Sequence, residues 1–507
     1  MFNLQKDQLF TLVKSLTKAE KRSFRLYVNR LQSDSKFIQL FDVLDKLEAY
    51  DEEAVLSRLP GVKKRHLANL KRHLYKQLLT SLRLIHIQKS IDIAIREQID
   101  FARILYGKGM YMQALRILES TKRKAVDHHQ DLLHLEIIEF QKLIEARHIT
   151  RSRSVQNKME ALLEEAEERS YIAHSSNLFS NFNIQMHGWY IQYGHIKSEA
   201  ERERVQAYFR RHLPAEQLDR QLTFFEKVNL YQAYFWHRYI LLDFEGALDY
   251  AREWVALFHA NEQMMQKDPV LYMRGQYYLL VLMYLLRNTA AYGKELRRFE
   301  DFVEKIRERL NENGELIAIV YLNLSRLNYA FISGQYQQGV ALIPEINAEL
   351  KRLSADTDVH RVLLFYFKFA YLYFRMGQHE QALDYLNEII HLKAGHLRDD
   401  LLHNARVLHL LCHYELGNYQ LLDYLIPAVK RLFQKATDLS PMLSQCVDFL
   451  AHLLSLPLSE RPTAFRVFQG ELAQSRVSMY EKKAVNYLDV PAWVDVKLAP
   501  KAKSTDP

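Results

Sequence analysis

Apolar side chains recur along most of this chain at the three- and four-residue steps that make one face of an α-helix. Phe37, Leu40, Phe41, Leu44 and Leu47 keep that spacing over three turns, which predicts an amphipathic helix with one buried stripe. Leu4, Leu9, Phe10, Leu12 and Val13 predict a helix before it, and Phe24, Leu26, Tyr27 and Leu31 predict another. Thr17-Lys-Ala-Glu20 between these two reads as a capping box, in which the Thr17 oxygen accepts the Glu20 amide and the Glu20 carboxylate reaches back to the Thr17 amide. Asp51 is placed to cap a short helix towards Leu59, which Pro60-Gly61 ends. Lys64-Arg-His-Leu67 then returns seven residues on as Lys71-Arg-His-Leu74. Seven residues regain nearly the same helix face. Lys64, Arg65, Lys71, Arg72 and Lys76 therefore read as a basic ridge, with Leu67, Leu70, Leu74, Leu78 and Leu82 turned inward. The apolar pattern runs on through Leu84, Ile85, Ile87, Ile91 and Ile95 with no Gly or Pro from 62 to 106, as a long connecting helix would.

From residue 92 the pattern becomes repetitive. Gly334-Gln-Tyr-Gln-Gln-Gly-Val-Ala-Leu-Ile-Pro344 matches Gly417-Asn-Tyr-Gln-Leu-Leu-Asp-Tyr-Leu-Ile-Pro427. Related segments start at Gly109, Leu242 and Gly377, and the shared form is Gly-x-Tyr-x-x-Ala-Leu-x-x-Leu. Each position has a physical role. The Gly ends one helix in a left-handed cap. The aromatic residue packs over the hairpin, and the small residue (Ala114, Ala247, Gly339, Ala382) lets two helices approach closely. Leu422 and Leu242 depart from the form. The gaps leave room for further hairpins near Tyr292-Gly293, around Lys158 and Glu199, and at Pro462-Thr-Ala464.

This motif resembles the turn and second-helix start of the tetratricopeptide repeat, in units of 40–48 residues instead of the usual ~34. The resemblance implies an all-α chain. Its organisation would be a small helical domain over 1–91, an α-solenoid of about nine antiparallel hairpins over 92–480, and a C-terminal extension over 481–507. It also implies a concave groove, lined by the first helices, that holds a peptide. By position in the repeat, Asn328, Phe331, Tyr371, Phe374, Arg375, Leu411 and Tyr414 would face that groove. The competing expectation is that these aromatics are inter-repeat core.

Composition agrees with a helical reading: only 15 Gly and 11 Pro occur among 507 residues. Cys412 and Cys446 are the only cysteines, as expected in a reducing, cytoplasmic compartment. No secretory signal is visible at Met1–Asp7, and the longest apolar run, Tyr277–Leu286, is half of the ~20 residues a membrane span needs. The net charge of +8 is localised. Residues 54–91 carry nine Lys/Arg and no acid, while the residues on either side nearly balance.

Enzyme signatures are not found: there is no glycine-rich phosphate loop, no His-Glu-x-x-His and no cysteine pair at zinc spacing. His409, Cys412 and His413 share a helix face without an evident fourth ligand and read as packing residues. Asp127-His128-His129-Gln-Asp131 reads as a polar turn, Val490-Pro-Ala-Trp493 as a segment that docks on the last hairpin, and Pro500–Pro507 as a frayed tail. No cofactor or metal is expected. Two functions fit: a non-enzymatic repeat protein that binds another protein or peptide in its groove, or a nucleic-acid-binding regulator. In the second, the short helix, Pro-Gly turn and basic helix would form a helix-turn-helix-like head, and the repeats would sense a ligand or drive dimerisation.

Overall fold

The structure is a computed structural model, and it describes residues 7–29, 36–87, 90–148, 158–352, 359–391, 399–436, 439–475 and 488–499. Leu4, Leu31, Lys89 and residues 500–507 lie outside the described residues. Of the described residues 85% are helical, and none is in a strand. The chain divides into two compact units, 1–174 and 175–507.

The first unit opens with α1 (Gln8–Ser15), α2 (Lys18–Asn29), α3 (Lys36–Lys46), α4 (Glu52–Ser57) and α5 (Lys64–His86). Phe24, Phe41, Leu44, Leu67, Leu74 and Leu78 form their shared core. The Thr17–Glu20 capping box is present, with bonds of 2.8 and 3.2 Å, and Asp51 accepts the Glu53 amide at the start of α4. Then follow α6 (Ile91–Gly107), α7 (Tyr111–Asp127) and α8 (Asp131–Arg147). The expected helix joining the basic ridge to the repeats is instead two helices. Ser90 has extended backbone (φ −124°, ψ 117°) at the start of α6, and a single extended residue stops the run of helical hydrogen bonds.

The division between the units falls within α9 (Lys158–Tyr193), a 36-residue helix. The second unit continues with α10 (Glu199–His212), α11 (Phe224–Ile240), α12 (Phe244–Ala260), α13 (Glu262–Lys267), α14 (Pro269–Leu285) and α15 (Thr289–Ile306). After these come α16 (Glu312–Ser333), α17 (Tyr336–Arg352), α18 (Val359–Arg375), α19 (His379–His391), α20 (Asp399–Glu415) and α21 (Tyr419–Phe433). The last are α22 (Pro441–Ser455), α23 (Arg461–Ser475) and α24 (Val490–Leu498). From α10 to α24 successive helices pack as neighbours, and α14, α16, α18, α20 and α22 also touch one another in sequence.

The repeated motif sits at the hairpin turns. Gly109, Gly334, Gly377 and Gly417 all have φ between +72° and +78°, a conformation glycine adopts at little cost. Leu242, which stands in the glycine position, takes the same left-handed turn at φ 60°, and Arg287 does so at φ 53° before the degenerate hairpin at Tyr292-Gly293. Ala114, Ala247 and Ala382 are fully buried between their paired helices. Instead of the hairpins expected around Lys158 and Glu199, one long helix, α9, occupies 158–193 and α10 starts at Glu199. No breaker interrupts residues 158–187, so the helix continues.

Among the described residues one helix, α16, is by length and composition long and apolar enough to cross a membrane, and half of its most apolar stretch is buried. Asn323, Ser325 and Asn328 of α16 are buried polar residues, and each takes part in a hydrogen bond within the protein.

Candidate functional site

The last turns of α14, α16 and α18 converge on a cavity of about 40 Å³, room for about one water molecule. Phe331, Tyr371 and Arg375 line it, together with Tyr284, Arg287, Ile332, Tyr336 and Asp489. Phe331 stacks on Tyr371 at 5.2 Å. The Arg375 guanidinium lies 4.5 Å from the Tyr336 ring centre, a cation–π contact. Burial works to lower the Arg375 pKa, but Tyr371, Tyr336 and Asp489 outweigh it and hold it above the usual arginine value. The Tyr371 hydroxyl is pushed up, chiefly by burial. The wall is therefore aromatic, with two guanidinium groups at its rim.

One of those groups is set by backbone geometry. Arg287 occupies the turn position that glycine fills elsewhere. Its left-handed conformation is held by Arg287 N–H to Tyr284 C=O (3.0 Å) and Asn288 N–H to Met283 C=O (2.9 Å), a helix-ending pattern of paired bonds. A side chain there costs about 1–2 kcal/mol relative to right-handed helix, and it is this side chain that pairs with Asp489 at 3.2 Å.

Asp489 begins a short docked segment. Its carboxylate accepts the Ala492 amide (3.0 Å) and caps α24, while its own amide donates to the Tyr371 hydroxyl (3.2 Å). Trp493 donates from Nε1 to Glu415 Oε1 at 2.7 Å, and Lys497 binds the other Glu415 oxygen. The Trp493 ring packs edge-on against Tyr414 (5.9 Å) and Phe465 (5.4 Å). Gln469 of α23 donates to Asp495 at 2.7 Å. Leu488, Val490 and Val494 are buried against α18–α23. The docking expected on the last hairpin thus reaches much further back along the chain, to Tyr371 and Arg287.

The residues assigned to a groove by repeat position fall into three groups. Tyr371, Arg375 and Tyr414 meet the Asp489–Leu498 segment, and Phe331 lines the cavity beside it. Asn328 lies deeper, where its Oδ1 accepts from Lys368 Nζ at 2.7 Å. Leu411 and Phe374 are buried in the core between α18, α20 and α22, and Tyr371 and Tyr414 are buried in that same core, as the competing expectation had it. Sequence reasoning missed Arg287, Glu415 and Asp489. The only local signal for the first was a turn position lacking its glycine.

The basic ridge is divided by the structure. Lys71 points inward, donating to Asp7 (2.6 Å) and to the Tyr50 hydroxyl. Burial opposes its charge, but these two partners outweigh burial and raise its pKa. Lys64 is exposed and pairs with Glu52 at 3.1 Å. Arg65, Arg72 and Lys76 are exposed on α5, with no carboxylate partner among the described residues. Asp42 and Asp45 do not cover the ridge; they pair with Lys21 and Arg25 of α2.

Among the described residues no three His, Cys, Asp or Glu are grouped to hold a metal. His409 and His413 pack ring to ring at 4.6 Å. Burial pushes His409 down to about 4 and raises the Cys412 thiol far above its usual range. Other buried charges serve packing: Glu226, fully buried, caps α11 with Thr223 and binds Arg220. No protein-family model matches the chain. A search of curated proteins found no match either.

Proposed function

We propose that this chain is a non-enzymatic α-solenoid of the tetratricopeptide-like class that binds another protein through the surface of its second unit. The observation that carries this reading is the convergence of Phe331, Tyr371, Arg375, Arg287 and Tyr336 on one cavity. Tyrosine and arginine dominate binding hot spots because each combines a large contact area with a directional polar group. The contacts between α14, α16, α18, α20 and α22 support a stacked array, as do the left-handed turns. Two buried, unpaired cysteines support a reducing, cytoplasmic setting. Panning the full chain against a displayed library of random peptides tests the reading. Binders are expected, and Arg375→Glu should weaken them about tenfold or more. A library that yields no binder, or only binders indifferent to Arg375, would overturn it.

A second reading rests on a different observation. Arg65, Arg72 and Lys76 form one exposed stripe along α5 without carboxylate partners among the described residues. Such a row suits a phosphate backbone, with α4 and α5 as a helix-turn-helix-like head. Gel shift with duplex DNA at physiological salt tests it, and no shift at micromolar protein would remove it.

A further inference from the structure

We infer that the surface under α24 is the partner site itself, and that the partner presents a helix of the same chemistry as this chain's own Asp489–Leu498. The inference rests on the protein-binding reading above and deepens it. The partner segment would carry an acid at its helix cap, an aromatic residue four positions on and a cation four beyond that.

Three features of the docked segment support this. First, its polar anchors are Trp493 and Lys497, spaced i, i+4 on one helix face, and Asp489, the cap at the start of the same helix. Second, those anchors meet groups brought together from distant parts of the chain. Asp489 meets Arg287 at the turn after α14 and Tyr371 of α18, while Trp493 and Lys497 share the two oxygens of Glu415 at the end of α20. Opposite charges at the two ends set the direction of the bound helix as well as its position. Third, α24 is nine residues long, too short to hold helical form alone in water. The surface therefore orders the segment, through Val490, Trp493 and Val494 in apolar contact. A surface that selects and orders a short helix by charge at both ends and an aromatic in the middle has the properties of a helix-binding site. A tethered occupant acts at about millimolar effective concentration, so an outside helix must compete with it.

The probe is a labelled synthetic peptide reproducing Leu488–Leu498, added to the full chain and followed by anisotropy. Wild-type protein should bind it weakly. The double variant Asp489→Ala, Trp493→Ala, with its own segment released, should bind at least about tenfold more tightly, one step of 1.4 kcal/mol. Adding Arg287→Ala to that variant should weaken binding again. A double variant of unchanged helicity that does not bind the peptide would overturn the inference and leave α24 a fixed part of the fold. If the double variant does not fold, Asp489→Asn serves instead, because asparagine caps a helix as well as aspartate does but loses the charge that meets Arg287. It should bind the peptide more tightly than wild type, and equal binding would overturn the inference. The two readings fail separately. Displayed peptides that bind through Arg375 but are not displaced by the Leu488–Leu498 peptide would leave the protein-binding reading standing and defeat this one.

Discussion

Arg287 and Asp489, 202 positions apart, form an ion pair at 3.2 Å beside the Tyr371 hydroxyl. The arginine stands in a left-handed turn where related turns have glycine, and the aspartate caps the helix that covers the cavity. A strained backbone position thus carries the side chain that anchors α24.

Arg287→Gly separates those two roles. The turn should relax, and the gain of about 1 kcal/mol is offset in part by the greater freedom of glycine in the unfolded chain. The melting temperature should stay level or rise slightly. Amide hydrogen exchange at Val490–Val494 should nonetheless speed up, because the anchor is gone. Unchanged exchange would show that the ion pair does not hold α24.

Close packing at the repeat motif is tested at two glycines. A Cβ on Gly339 would lie 2.9 Å from Ala330 Cβ and from Leu372 Cδ2, whereas one on Gly470 meets nothing within 4 Å. Gly339→Ala should cost about 1–3 kcal/mol by overpacking. Gly470→Ala, inside α23, should instead stabilise by about 0.5–1 kcal/mol. Ala382→Leu should behave like Gly339→Ala. Urea denaturation midpoints decide.

Acid should loosen the second unit before its carboxylates titrate. Burial pushes His187, His237 and His409 down to about 4, while in the unfolded chain they accept protons near 6.5. Between those values the unfolded state holds more protons, so stability rises with pH. The contribution is complete above pH 6.5 and is lost as pH falls towards 4. His237→Phe keeps the stack on Phe209 (3.9 Å) and should flatten part of this dependence in a plot of urea midpoint against pH.

Lys71 and Arg72 are neighbours with opposite roles. Lys71→Ala leaves Asp7 and Tyr50 without their shared donor and should cost about 1–3 kcal/mol. Arg72→Ala, on the exposed face, should change stability by less than about 0.5 kcal/mol. If DNA binds, removing Arg65, Arg72 or Lys76 should reduce the salt slope by about 0.9 for each phosphate no longer neutralised, and removing Lys71 should not. A slope that follows Lys71 would contradict the inward position of that side chain.

Features that depend on residues a few positions apart are legible in the chain alone. Helical periodicity, the Thr17–Glu20 box, the Asp51 cap and the turns at Gly109, Gly334, Gly377 and Gly417 are local events, set by side-chain spacing and by the freedom of glycine at positive φ. Repeat position named Tyr371, Arg375 and Tyr414 as walls of an open groove, but it held no sign that the chain's own Asp489–Leu498 segment lies against them. The rest depends on contacts between distant segments. Lys64-Arg-His-Leu67 and Lys71-Arg-His-Leu74 are alike as sequence, yet Lys64 stays exposed while Lys71 finds Asp7, 64 positions away. Leu411 lies in the core because α18 and α22 close over it. The seating of Asp489, Trp493 and Lys497 depends on bringing Arg287 and Glu415 together from separate hairpins. Only the packed chain places those groups on one surface, since no local pattern records pairings that chain entropy opposes until the fold has formed.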